Sequence, residues 1–248
     1  MSVSSPPPGQ VTVWHAATTE LFATDAGRAR ALGWLTAADR ARYERYRFPK
    51  DRDMFLAGRV MARALVGRAL GVGPNAWEWR EGPRGRPELA DPDAARRVSF
   101  NIAHSAGLVV CAISGDGTVG VDVEHRLRPP VDAGMVRRFC APAEVVDIER
   151  CGPSAWQDQF LKYWTLKEAY LKARGVGIAV HLSDLSFTLG EDVIRLDRLN
   201  ALSAEDDAEW AFVLDSSSPA HLVAAAVTAR PGVRPTFRLA PFTHDLLP

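Results

Sequence analysis

The 248-residue chain is 47% hydrophobic and 24% charged, and its 30 Lys and Arg residues are matched by 30 Asp and Glu. This composition excludes intrinsic disorder and fibrous folds and supports either one large domain or two closely packed lobes. Its longest apolar runs, such as 108–113 and 222–227, fall far short of the roughly 20 residues that cross a bilayer, so no membrane span is expected. The opening MSVSSPPPGQ has neither a charged n-region nor an apolar h-region, and reads as a flexible lead-in to a cytoplasmic protein. Cys111, Cys140 and Cys151, with no C-x-x-C spacing, argue against a disulfide framework or a zinc knuckle.

In chain order, 11–15 alternates like a strand, and Leu35, Ala38, Tyr43 and Tyr46 introduce helices with Arg-rich polar faces. The spacing of Phe55, Val60, Met61, Ala64, Leu65 and Ala69 predicts a helix over 55–70, stopped by Gly71. A turn at 82–87 precedes strands at 98–102 and 108–113, and the turn Gly115-Asp116-Gly117 leads to a strand over 119–124. Helices are predicted over 136–151 and 156–174, then strands at 185–189, 210–214, 222–228 and 236–239. Strands and a long helix in each half predict an α+β fold of two related lobes, 1–117 and 118–248.

Charge is unevenly distributed along this order. Residues 28–68 hold eleven basic and four acidic side chains, whereas 191–209 holds seven acidic and two basic. A basic segment in a neutral chain points to a local anion site rather than to nucleic acid, whose binders carry a basic domain; a solvated helix face is the alternative.

Three features carry chemistry. In GVDVEH (120–125), strand alternation sets Asp122 and Glu124 on one face with Cα atoms about 6.6 Å apart. Two adjacent carboxylates repel unless a cation joins them, and oxygen-only ligation suits Mg²⁺, although D-x-E also occurs on solvated strands. On the helix over 156–174, Phe160, Trp164, Lys167 and Leu171 share one side, while Glu168 and Lys172 form an adjoining stripe that an ordinary surface ion pair would also explain. In FNIAHS (100–105), a lone histidine such as His104 is by itself more often structural than a ligand, and Ser105 lacks the G-x-S-x-G elbow of a serine hydrolase.

GVDVE at 120–124, followed by WTLKEAYLKARGVGI at 164–178, resembles the signature pair of the larger, two-lobed 4′-phosphopantetheinyl transferases. FLAGR at 55–59, GRP at 85–87 and FNIAHS resemble that family's upstream landmarks, so the likeness runs from about Arg42 to Ile178. It implies two pseudo-twofold-related α/β lobes with the active site between them. It also implies a monomeric enzyme that moves the phosphopantetheine arm of coenzyme A to a serine of acyl or peptidyl carrier proteins. Carried over by motif, Asp122, Glu124 and Glu168 hold Mg²⁺, and Lys172 touches a phosphate oxygen. Glu168 or a metal-held water takes the serine proton, and the sequence leaves both open.

The same likeness gives His104, Arg86 and Pro87 to coenzyme A. Arg86 stands in place of the usual Lys, and Ala103 in place of a common hydroxyl residue. Arg45, Arg47, Lys50 and Arg52 are candidates for the 3′-phosphate clamp, with Arg47 and Arg52 ranked first. An acidic carrier is expected to dock on 126–139, where Arg126, Arg128, Arg137 and Arg138 surround Met135 and Phe139, unless that segment merely caps the core. Rival functions are a Mg²⁺-dependent phosphodiesterase, which would want further acidic ligands or a His base, and a non-catalytic coenzyme-A-binding or carrier-docking module.

Overall fold

The computed structural model describes residues 7, 9–82, 86–176, 181–190, 193–198, 208–230, 232–243 and 246. Gly85, Gly177 and Ile178, which the motif reading used, lie outside the described residues, as does most of the acidic segment 191–209. The fold is α+β and is organised around two sheets. Strand β1 (Gln10–Ala17) leads into helices α1 (Thr18–Leu21), α2 (Asp25–Gly33), α3 (Ala37–Arg45) and α4 (Pro49–Leu70). The short pair β2 (Trp79–Glu81) and β3 (Pro87–Leu89) and helix α5 (Pro92–Arg97) follow, then strands β4 (Ser99–Ser105), β5 (Leu108–Ser114) and β6 (Val119–His125). Helices α6 (Ala133–Phe139), α7 (Pro142–Arg150) and α8 (Trp156–Arg174) precede β7 (Leu185–Leu189), β8 (Ile194–Arg198), β9 (Glu209–Asp215), β10 (His221–Ala229) and β11 (Thr236–Pro241).

One sheet has the order β11-β1-β5-β4, with β11 parallel to β1 and the other pairs antiparallel; the second is the antiparallel set β6-β10-β9. Alternation along β5 explains its unbroken apolar run. Val109, Cys111 and Ile113 face α4, while Val110 and Ala112 meet Val119, Val121 and Val123 of β6 and Val223, Ala225 and Val227 of β10. The reverse face of β10, Leu222, Ala224 and Ala226, packs on Phe160, Leu166, Ala169 and Ala173 of α8. The layers are therefore α4, first sheet, second sheet and α8, with strands buried on both faces and consequently apolar throughout.

The helix predicted over 55–70 extends back to Pro49 at its first turn and ends at Gly71, whose φ of +75° is the left-handed cap that glycine adopts without a Cβ penalty. The single helix predicted over 136–151 is instead two, α6 and α7, broken at Cys140–Ala141. Pro142 is the reason, since it lacks the N–H to continue α6 and is suited to start α7. The chain end returns to the first half: β11 adds to β1, and Phe242 and Leu246 are buried beside α4. Among the described residues, no helix is long and apolar enough to cross a membrane.

Candidate active site

The site lies where β6 meets α8. With Val119, Val121 and Val123 turned toward the first sheet, Gly120, Asp122 and Glu124 turn toward α8. Gly120 is what lets the helix come close: a Cβ there would lie 2.1 Å from the Ala169 carbonyl oxygen and 2.3 Å from the Ala173 nitrogen. Four-residue spacing on α8 then stacks Trp164, Glu168 and Lys172 along the carboxylate face of β6.

Lys172 Nζ donates to Asp122 Oδ1 at 2.5 Å, and Asp122 Oδ2 is buried with no hydrogen-bond partner. Glu124 Oε1 accepts from Trp164 Nε1 at 2.8 Å and from Arg128 Nη1 at 3.0 Å. Burial raises the pKa of Asp122, with Lys172 opposing. Glu124 is raised by burial and then by Asp122, and Glu168 by burial, Asp122 and Glu124, again with Lys172 opposing. Asp122 thus pushes up both Glu124 and Glu168, as neighbouring like charges do.

Among the described residues, no group of three His, Cys, Asp or Glu side chains is arranged to hold a metal ion by itself. Lys172 and Arg128 sit on Asp122 and Glu124 instead. The donor chemistry nevertheless fits a hard divalent cation such as Mg²⁺: the side chains offer oxygen ligands only, and one buried carboxylate oxygen has no partner.

His104 is on β4, solvent-exposed as a residue. Its pKa is lowered, chiefly because surrounding atoms strip water from the ring and secondly by Lys172, while Asp51 and Asp122 oppose. His104 thus lies within electrostatic reach of Asp51 in the first turn of α4 and of the Lys172–Asp122 pair. Arg47 is in the neighbouring α3–α4 turn and Arg52 in the first turn of α4. Arg47 is exposed over the Phe48 ring at 5.6 Å, and Arg52 donates to the Tyr46 carbonyl at 2.8 Å. Arg86 sits elsewhere: its guanidinium donates to the Ala173 carbonyl at the end of α8 and, at 3.1 Å, to the Val119 carbonyl at the start of β6. Pro87 opens β3 opposite Glu81.

Sequence reasoning missed the indole of Trp164 and the guanidinium of Arg128 as partners of Glu124. It also missed Glu144, the buried partner of Lys167. Lys167 Nζ donates to Glu144 Oε2 at 2.5 Å and to the Phe139 and Leu182 carbonyls, which anchors α8 to the α6–α7 corner. The lysine's place on the apolar side of α8 was the available signal, because a cation there needs an acid.

In the 126–139 segment, Arg126 is pinned to Asp158 and to the Ser216 and Ser218 carbonyls, and Gln157 donates to the carbonyls of Arg126 and Arg128. Leu127, between them, is 84% exposed. Arg137 and Arg138 are exposed, whereas Phe139 packs edge-on against Trp164 and, with Met135, borders the core.

Residues 118–227 match the 4′-phosphopantetheinyl transferase superfamily, and residues 23–115 match the 4′-phosphopantetheinyl transferase N-terminal family. A phosphopantetheinyl transferase of Thraustochytrium sp. is 34% identical over 235 residues, covering 89% of this chain and 80% of that one. The 4′-phosphopantetheinyl transferase HetI of Nostoc sp. is 39% identical over 146 residues, covering 58% of this chain and 61% of that one. A 4′-phosphopantetheinyl transferase of Bacillus subtilis is 28% identical over 164 residues, 66% of this chain and 70% of that one. Two adjoining family matches and a relative alike across most of both chains establish that this chain belongs to the 4′-phosphopantetheinyl transferase superfamily.

Proposed function

We infer that the chain transfers the 4′-phosphopantetheine arm of coenzyme A to a serine hydroxyl of acyl or peptidyl carrier domains, such as those of fatty acid, polyketide or nonribosomal peptide assembly. It would do so with Mg²⁺, as a cytoplasmic monomer with lobes 1–117 and 118–248. The observation that carries this reading is the convergence of Asp122, Glu124 and Glu168 with Lys172 between a strand and a helix.

Asp122, Glu124 and Glu168 would hold the Mg²⁺, which when bound neutralises charge on the pyrophosphate. Lys172, already beside Asp122, reaches a phosphate oxygen as a compact cation. Glu168, within electrostatic reach of Asp122 and Lys172, would accept the serine proton at its carboxylate oxygen. The serine oxygen bonds to the phosphorus bearing pantetheine, and the bridging oxygen leaves with adenosine 3′,5′-bisphosphate. Most of the acceleration comes from positioning and charge compensation, as in other phosphoryl-type transfers.

His104 and the α3–α4 cations Arg47 and Arg52 would take the distal phosphate. An acidic carrier would meet Arg137 and Arg138, with Leu127 as the exposed apolar contact on a loop held rigid by Arg126. Calorimetric titration with coenzyme A tests the ligand assignment: Asp122→Ala should bind coenzyme A with less dependence on added Mg²⁺ than the unsubstituted chain. Identical Mg²⁺ dependence in both would remove Asp122 from the site.

A further inference from the structure

The two sheets meet along β4 and β6, which are edges of separate sheets with no main-chain ladder between them. A row of side chains does that work. Ser99 Oγ accepts the Val119 N–H at 3.1 Å, Asn101 Oδ1 the Val121 N–H at 3.0 Å, and Ser105 Oγ the His125 N–H at 3.3 Å. Acceptor and donor are 20 residues apart in all three pairs, so the strands run parallel in fixed register. The rung missing from this series is Ala103 opposite Val123. A methyl group accepts nothing there.

These contacts decide where β6 sits along β4. Asp122 and Glu124 are on β6 between the second and last rungs, and His104 is on β4 beside the last. We propose that Asn101, flanked by Ser99 and Ser105, is a positioning residue that sets the register of the Asp122–Glu124 strand against the His104 strand. Asn101 is 4% exposed, so the Val121 N–H it covers has no water to turn to if the acceptor is lost. The strand then slides or tilts to find another partner, carrying the acidic pair away from His104. This rests on the transferase reading for its consequence in catalysis, whereas the register itself is a property of the fold.

The test uses the full chain and Asn101→Leu, which keeps the side-chain volume and removes the acceptor. Amide exchange at Val121, followed by NMR, should speed by about tenfold or more relative to Ala225 in the β6–β10 ladder, as expected for loss of a buried hydrogen bond. With coenzyme A, Mg²⁺ and an apo carrier domain, kcat should fall by about tenfold to a hundredfold, the scale of an ångström-sized misplacement, with the KM for coenzyme A little changed. Adding Ala103→Ser to Asn101→Leu supplies the missing rung and should recover part of the lost kcat, which a purely volumetric role of Asn101 would not allow.

Unchanged Val121 exchange, or faster exchange with unchanged kcat, overturns the proposal, as does a double variant with no recovery. If Asn101→Leu does not fold, Ser99→Ala/Ser105→Ala makes the same test at Val119 and His125 without disturbing the apolar face. Should the unsubstituted chain transfer nothing, that result counts against the functional reading alone. The register claim then stands or falls on amide exchange spreading, or not, from Val121 to Asp122 and Glu124.

Discussion

Gly120→Ala is the sharpest probe of how the site is assembled. The added Cβ would meet main-chain atoms of α8 at 2.1, 2.3 and 2.8 Å, and main-chain atoms cannot swing aside as a side-chain tip can. To open the 2.1 Å approach to an ordinary contact of 3.4 Å, helix and strand must part by 1.3 Å. A retreat of that size stretches the 2.5 Å Lys172–Asp122 contact beyond hydrogen-bond range and draws Glu168 off the same face. Overpacking of this kind costs about 1–3 kcal/mol. For a chain of this length that lowers the melting temperature by roughly 2–12 °C, so the protein stays folded at 25 °C. Turnover should suffer more than stability, by about a hundredfold, because the misplaced groups are the ones acting on the pyrophosphate. Circular dichroism melts and carrier-modification rates on the same preparation give both numbers. A variant with unchanged melting temperature and unchanged rate would refute the close approach and the site built on it.

Four further outcomes follow from the same geometry. Replacing His104 with Ala should weaken binding of coenzyme A more than that of its 3′-dephospho analogue, measured by calorimetry; equal weakening contradicts a 3′-phosphate contact. Charge reversal at Arg137 or Arg138 should raise the carrier KM at low salt, and added salt should erase much of the difference, since screened surface charges act mainly on association. Lys167→Met should destabilise the fold by about 3–5 kcal/mol because it strands buried Glu144, and Lys167→Met/Glu144→Leu should recover most of that in urea melts. Ala106, a non-glycine residue at φ +44° in the β4–β5 turn, stores strain, so Ala106→Gly should stabilise the chain by about 1 kcal/mol.

Much of this was legible in the sequence where a single period governs a segment. The apolar runs of β5 and β10, the alternation in β6 and the long helices α4 and α8 all follow from one repeating pattern, which also sets Lys172 against Asp122 with Glu124 and Glu168 in electrostatic reach. The break between α6 and α7 was readable at Pro142 and was overlooked because apolar spacing continues across it. Helix α5 also announces itself, by Asp91 as cap and Pro92 at its first position. Other features depend on partners far away in the chain. Arg86 looks like a phosphate ligand by motif, and its contacts with the Ala173 and Val119 carbonyls, set by where α8 ends, leave no local trace in the sequence. Asn101 carries no local signal at all, since its partner Val121 belongs to the other sheet. Glu144 could be matched to Lys167 only after folding had buried both.

The most direct measurement incubates the protein with coenzyme A, Mg²⁺ and an apo carrier domain and follows the carrier by intact-mass spectrometry. The account predicts that the carrier gains the mass of one phosphopantetheine arm, at its serine, with the unsubstituted chain and not with folded Asp122→Ala or Glu168→Ala. No added mass on any of several carriers, or equal modification by the two variants, would contradict it.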